Sequence, residues 1–348
     1  MLREVWRDLV TGTARARGFA IAAAIIMVLA ATAELMSIQQ LAEQAQEFDR
    51  SGASISIVED KAKIDGGRCD DLARLPDVRA AGAIRATTET IKPTVLPSAP
   101  LPLFDASPGY AAVIGSDPRT AGVLLGAEAS EALGISETGM ISATSGSVPV
   151  AGTYAYPDDG RRPGFSYAAI APGNSDAPFD ECWVHTWPVK DVTSALLGTV
   201  RAGGPESDQP KISQLNTTHG ESFDGEALFD SRLTRFSGAL TATAGFVLGL
   251  MSVRVRKLSL ASALHAGVSK RALFGIAMME TAVWSAGSMM FGLAIIELIA
   301  AAVVGGEANV FLAGLFAALP LLPAALAGVW IGVATIKEDH LFDYFKSR

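Results

Sequence analysis

The sequence holds no GxxxxGK[ST] phosphate loop, no GxSxG or HExxH motif and no paired catalytic histidine and cysteine. Nucleotide hydrolysis, serine-elbow hydrolysis and zinc-peptidase chemistry therefore have no residues to run on, and no intrinsic enzyme activity is expected. Cysteine and histidine are both scarce, at two and four residues. His185 stands near Cys182, but with no CxxC or HxxxH spacing there is no ligand set for a zinc ion. His219 in a polar turn, His265 in a short basic loop and His340 near the C-terminal end read as ordinary side chains.

Charge is sparse or absent in four long stretches. A bilayer core of about 30 Å takes about 20 apolar helical residues to cross. Residues 18–38 qualify, and 236–253 form a second uncharged run bracketed by Arg235 and by Arg254, Arg256 and Lys257. A third run follows Arg271 to residue 304, interrupted by Glu280 and Glu297, and 308–336 carries no charge at all. The layout is one span, a large polar insert, then three spans. It predicts an α-helical membrane protein with four transmembrane helices in a 1+3 arrangement plus an α+β extracytoplasmic domain. The expected segments are 1–17 inside, spans at 18–38, 235–254, 272–304 and 308–336, the outside domain at 39–234, an inside loop at 255–271 and an inside tail at 337–348.

Orientation follows from lysine and arginine in the short flanks, which are retained on the cytoplasmic side. Arg3, Arg7, Arg15 and Arg17 precede the first span, and Arg254, Arg256, Lys257, Lys270 and Arg271 lie between the second and third with no acid among them. The turn after the third span carries only Glu307, as suits the outer side. The insert is then outside, and between residues 39 and 235 it holds 27 acidic against 16 basic residues, the origin of the net charge of −8. A multi-pass protein of the bacterial cell (inner or plasma) membrane with both termini in the cytoplasm is expected, and the Ala- and Gly-rich composition points to a GC-rich bacterial genome.

Residues 18–38 with Ala31-Thr32-Ala33 also have the form of a secretory signal and its cleavage site. Apolar character continues through Leu35, Met36 and Ile38, so retention as an anchor is expected. Both cysteines, Cys69 and Cys182, fall in the outside insert, where disulfides persist. A Cys69–Cys182 bridge is expected, against the alternative of two unpaired core residues.

The insert has α+β texture, with short β-rich runs between Gly, Pro and Asp clusters. Residues 53–59 read as a strand, 69–75 as a short helix ended by Pro76, and 78–90 as a strand, together a βαβ-like unit. The proline-rich 93–108 reads as an irregular crossover and 110–114 as a strand. Then come a strand and short helix in VLLGAEASEALGI (123–135), with Gly134 as C-cap, a turn at Glu137-Thr138-Gly139-Met140-Ile141, and strands ending in a glycine bend at 148–154. A second βαβ-like unit is expected from strands at 166–170 and 182–186 and a helix at 189–201.

The order of pieces at 124–135 and 148–152 resembles the extracytoplasmic domain of the MacB/FtsX-type (type VII) permeases of ABC transporters. The same family is resembled by the inside loop 256–271, RKLSLASALHAGVSKR, leading to Glu280. Arg256, Ala263, Gly267, Ser269, Lys270, Arg271 and Glu280 match its coupling-helix segment, in which Leu264 also lies. Ser259 stands where the family has an acidic residue, which leaves no carboxylate there for an ion pair with the ATPase. Thr138-Gly139-Met140 replaces the usual Gly-Asp-Thr type turn, and the tail lacks the family's Pro-Ala-x-x-Leu ending. Without the family, the loop is a basic helix with an apolar stripe at Leu258, Ala261 and Leu264 or His265, suited to a membrane surface or a partner groove.

The resemblance implies two copies of the chain forming a homodimer, two cytoplasmic ABC ATPase subunits carrying the ATP–Mg, no cofactor in this chain, and mechanical transmission through Arg256, Ala263, Leu264, Gly267, Lys270 and Arg271. Besides membrane lipid, an amphipathic ligand or an extracytoplasmic protein is an expected partner; no nucleic acid is. Intramembrane acids are functional candidates because burying a charge in hydrocarbon is costly. Glu34 and Glu297, toward the outer ends of their spans, suit a cleft that takes a cationic, metalloporphyrin or amphipathic substrate, and Glu280 is expected inside the bundle near the inner leaflet. Two functions follow: extrusion of a hydrophobic or amphipathic compound such as a drug, peptide, haem or lipid-linked cargo, or a relay that activates a cell-wall hydrolase with no transport. An insert of about 195 residues is large for the division-type relay.

Overall fold

Helix α1 runs through Ala16–Arg50, because alanine and unbranched or aliphatic residues dominate and no proline breaks the run. At 1.5 Å per residue it is roughly 50 Å long, more than a bilayer core needs. The computed structural model describes Arg7 and residues 15–118, 120–173, 177–201, 209–304 and 308–336. The 337–348 tail with His340, the turn at Glu307, and Arg3 lie outside the described residues. The chain divides into two compact units, one of residues 1–43 and 225–348, the other of residues 44–224.

In the helical unit, α1 is joined by α7 (Ser237–Arg254), α8 (Lys257–His265), α9 (Lys270–Val304), α10 (Ala308–Ala318) and α11 (Leu321–Thr335). Four of its stretches are long and apolar enough to cross a membrane: Ala16–Arg50, Leu233–Arg254, Lys270–Ala302 and Phe311–Thr335. The last is broken between α10 and α11 at Pro320, which lacks the N–H the helix ladder needs. Ala23, Met27, Ala31 and Leu35 recur every four residues along α1 and bury one stripe against Trp284 and Ile296 of α9 and Leu321 and Ala325 of α11.

Helices α7 and α11 approach backbone to backbone. Gly245 and Gly249 of α7 face Leu321 and Ala325, and Gly328 of α11 faces Phe246; a Cβ at any of the three would run into the opposing carbonyl oxygen. Four-residue spacing of glycine on both helices is how membrane helices pack in the absence of a hydrophobic drive. Thr241 adds a hydrogen bond from its Oγ1 to the Ala317 carbonyl oxygen, 2.7 Å. Gly249→Val should force the helices apart and cost about 1–3 kcal/mol or more, read as a lower unfolding midpoint in detergent. The same change at Gly287, which has open space beside it, should leave the midpoint unchanged.

The second unit is built on a nine-stranded mixed sheet of order β5-β6-β4-β7-β3-β2-β8-β1-β9. Its strands are β1 (Ile55–Ile64), β2 (Val78–Ile91), β3 (Leu101–Ala106), β4 (Val123–Gly126), β5 (Gly139–Ala143), β6 (Gly146–Tyr154), β7 (Ala169–Pro172), β8 (Phe179–Thr186) and β9 (Lys211–Gln214). β8 pairs antiparallel with both β1 and β2, so the βαβ unit expected from 53–90 is split, with β8 inserted between its strands. Alternation along β1 and β8 sends Ile57 and Trp183 to one face and Val58, Cys182 and Val184 to the other. On the second face α2 (Gly66–Asp71), started by Asp65 accepting from Arg68 N, is tied to β8 by the Cys69–Cys182 disulfide.

Three further expectations for this unit are corrected. Residues 110–114 form a short helix, α3 (Tyr110–Val113), in place of a strand, because Gly82 of β2 lets the backbone of Tyr110 rest directly on the sheet and Tyr110 is wholly buried against Trp183. Asp70 holds that turn: Ser107 Oγ donates to its Oδ1 at 2.5 Å and Gly109 N to its Oδ2 at 3.3 Å. Its burial raises the carboxyl pKa above the ordinary value despite these two bonds. The 93–108 stretch contains β3, its prolines at the strand's start and outside it. The helix expected at 189–201 is confined to α5 (Thr193–Leu197). Elsewhere α4 (Ala127–Leu133) ends at Gly134 in the left-handed conformation, φ 68°, and β5–β6 is a regular antiparallel hairpin.

Candidate functional site

In the helical unit the matched loop residues fall into two groups. α8 turns back under α7, α9 and α11, burying Leu260 and Ala261 and half-burying Leu258, Ala263 and Leu264. Of the apolar stripe, Ala261 is buried inside the unit, Leu258 and Leu264 are half-buried and His265 is exposed. What faces outward is Ser259, Ser262 and His265, then Ala266, Gly267 at φ 87°, Val268 and Arg271. Ser269 caps α9, its Oγ accepting from Ala272 N at 3.3 Å, and Lys270 Nζ donates to the Ala334 carbonyl at the end of α11, 3.1 Å. A cation on those terminal carbonyls complements the helix dipole.

Arg256, at the start of α8, donates from Nη1 to Glu280 Oε2 of α9; their side chains are 13% and 4% exposed. A lone charge in hydrocarbon is costly, and this ion pair joins the start of α8 to α9. Two residues distant in sequence, both matched in the loop motif, are brought into one contact.

Glu34 and Glu297 have different surroundings. Glu34 is buried and pairs with Arg232 at 3.3 Å, each side chain 9% exposed, while Glu297 faces outward from α9. Arg232 went unseen as a partner because it lies beyond the apolar run, yet a buried acid at one span's end calls for a cation at the neighbouring end. In front of α7, α6 (Gly225–Asp230) and the turn Leu233–Phe236 expose Leu228, Phe229, Leu233 and Phe236.

The sheet unit contains a half-open cavity of about 290 Å³. Ile55, Ile114, Leu215 and the ring of Tyr156 form its apolar walls, with Trp183 wholly buried behind them. The Tyr156 hydroxyl donates to the Arg162 carbonyl at 2.6 Å, so what Tyr156 turns to the cavity is ring. Asp49, Arg50, Arg161 and His185 stand at the polar side. Asp49 Oδ1 meets His185 Nε2 at 2.7 Å and accepts from Ser54 Oγ at 2.9 Å, and Oδ2 accepts from Arg79 at 2.6 Å. Burial pulls the Asp49 pKa up, but these bonds and charges outweigh it and the carboxyl lies below its ordinary value. Nothing in the linear spacing of residues 49–50, 113–115, 155–161 and 183–185 announces this site. Among the described residues no cluster of histidine, cysteine and acids could hold a metal ion.

No protein-family model and no curated protein sequence matches the chain. Among solved structures, the periplasmic region of MacB from Actinobacillus actinomycetemcomitans is similar over 45% of this chain and 86% of its own length, at 10% identity and a TM-score of 0.31.

Proposed function

We propose that the chain is the permease subunit of an ABC-type complex, in which a separate cytoplasmic ATPase moves α8 and the motion passes along α1 and α7 to the extracytoplasmic sheet unit. Four membrane-capable helices, a polar insert after the first, and positive charge concentrated at residues 254–271 support this reading. One observation carries it: the buried Arg256–Glu280 pair makes the basic inside loop a rigid part of the bundle. A loop that merely retained positive charge inside would need no buried partner. Its outward face, Ser259, Ser262, His265 and Gly267, is what an ATPase would engage. α1 continues without a break from Ala16 to Arg50, a lever of the kind mechanical transmission requires. The cargo is a hydrophobic or amphipathic compound taken from the outer leaflet or the space outside, by a homodimer with two ATPases.

The test is ATPase activity of the chain reconstituted in lipid with a candidate cytoplasmic ABC ATPase partner. Amphipathic compounds should stimulate hydrolysis several-fold. Should none do so while a purified wall hydrolase does, the chain is a relay and the transport reading fails.

A further inference from the structure

We infer that the cavity of the sheet unit binds a small amphipathic anion, an aromatic or branched apolar body carrying one carboxylate or sulfonate. Three observations converge on that chemistry. The volume of about 290 Å³ lies at the small end of ligand pockets, and its half-open form admits a flat body while leaving a polar end at the rim. The walls offer the ring of Tyr156 together with aliphatic side chains, surfaces that gain by covering an apolar ring.

The sign of the head group follows from which charges are already used. Asp49 is met by His185, Ser54 and Arg79, so the cavity's acid is spent. Arg161 spends its fork on Asp159, with two bonds of 2.8 Å, and its Nη2 also reaches the Arg50 carbonyl. Arg50 is exposed, and among the described residues its side chain meets only the neutral Gln46, at 3.2 Å. One cation at the rim therefore retains unspent donors, and a carboxylate or sulfonate is the group that takes a guanidinium fork. The cationic cargo suited to a pair of intramembrane acids does not fit this site. The inference uses the extracytoplasmic placement only to say which side the anion comes from; the binding is independent of any ATPase.

Equilibrium dialysis of the full chain in lipid nanodiscs, against empty nanodiscs, tests it with three probes of one shape: 2-naphthoate, 2-naphthylmethanol and 2-naphthylmethylammonium. Naphthoate should bind about tenfold or more tighter than the other two, as one charge-assisted hydrogen bond gives. Arg50→Ala should remove that preference while leaving the neutral probe's affinity in place. Ala155→Trp, at an exposed position on the cavity wall, should abolish binding of all three. Unchanged thiol titration and hydrogen exchange in β8 establish that both variants are folded. Equal affinity for the three probes, tighter binding of the ammonium, or binding untouched by Ala155→Trp would each overturn the inference. Because the dialysis contains no ATPase, such a failure leaves the permease reading standing, and a silent ATPase assay leaves the cavity result standing.

Discussion

Arg256→Met should destabilise the helical unit by about 3–5 kcal/mol, and Glu280→Leu by a similar amount, because each breaks this buried ion pair. The double variant should recover most of that loss, since two apolar side chains of similar volume suit the site and the desolvation cost of both charges disappears. The measurement is a double-mutant cycle on unfolding in mixed micelles, with a coupling energy of a few kcal/mol expected. Function should separate from stability. The double variant should be folded yet couple poorly to the ATPase, because apolar packing does not hold α8 to α9 with the direction of a charged hydrogen bond. If the single variants are as stable as the native chain, the pair is not the fastener of the loop.

Replacing both Cys69 and Cys182 by alanine should cost the sheet unit about 3–5 kcal/mol. The bond closes a separation of 113 residues, and freeing a loop of that size restores that much denatured-state entropy in the chain-entropy account. Hydrogen exchange in α2 and β8, which the bridge joins, should quicken by about 10²–10³-fold, while amides of α7 and α11 keep native rates. An unaltered β8 would mean that the sheet's own packing, not the bridge, sets the stability of this unit.

Four apolar stretches were legible in the sequence because hydrocarbon imposes its length requirement on local composition. The Gly134 cap and the Cys69–Cys182 pairing were legible for equally local or compartmental reasons. The strand expected at 110–114 went wrong because what decides it is Gly82, some 28 residues upstream on another element. Periodicity marks the apolar stripe on 258–265, but it says which face is buried and not against what. The same limit hid the cavity, whose walls are assembled from β1, β8 and the segments after α3 and β6. It also hid Arg232, whose meaning appears only beside Glu34.

The proposed function requires that α8 and the sheet unit face opposite sides of one membrane. Single cysteines introduced at Ser262, exposed on α8, and at Glu128, exposed on α4, can be labelled with a membrane-impermeant maleimide, the native cysteines being bonded to each other. In intact cells, stripped of any outer membrane, Glu128→Cys should react and Ser262→Cys should react only after the membrane is opened. Labelling of both positions in intact cells, or of Ser262→Cys alone, would contradict it.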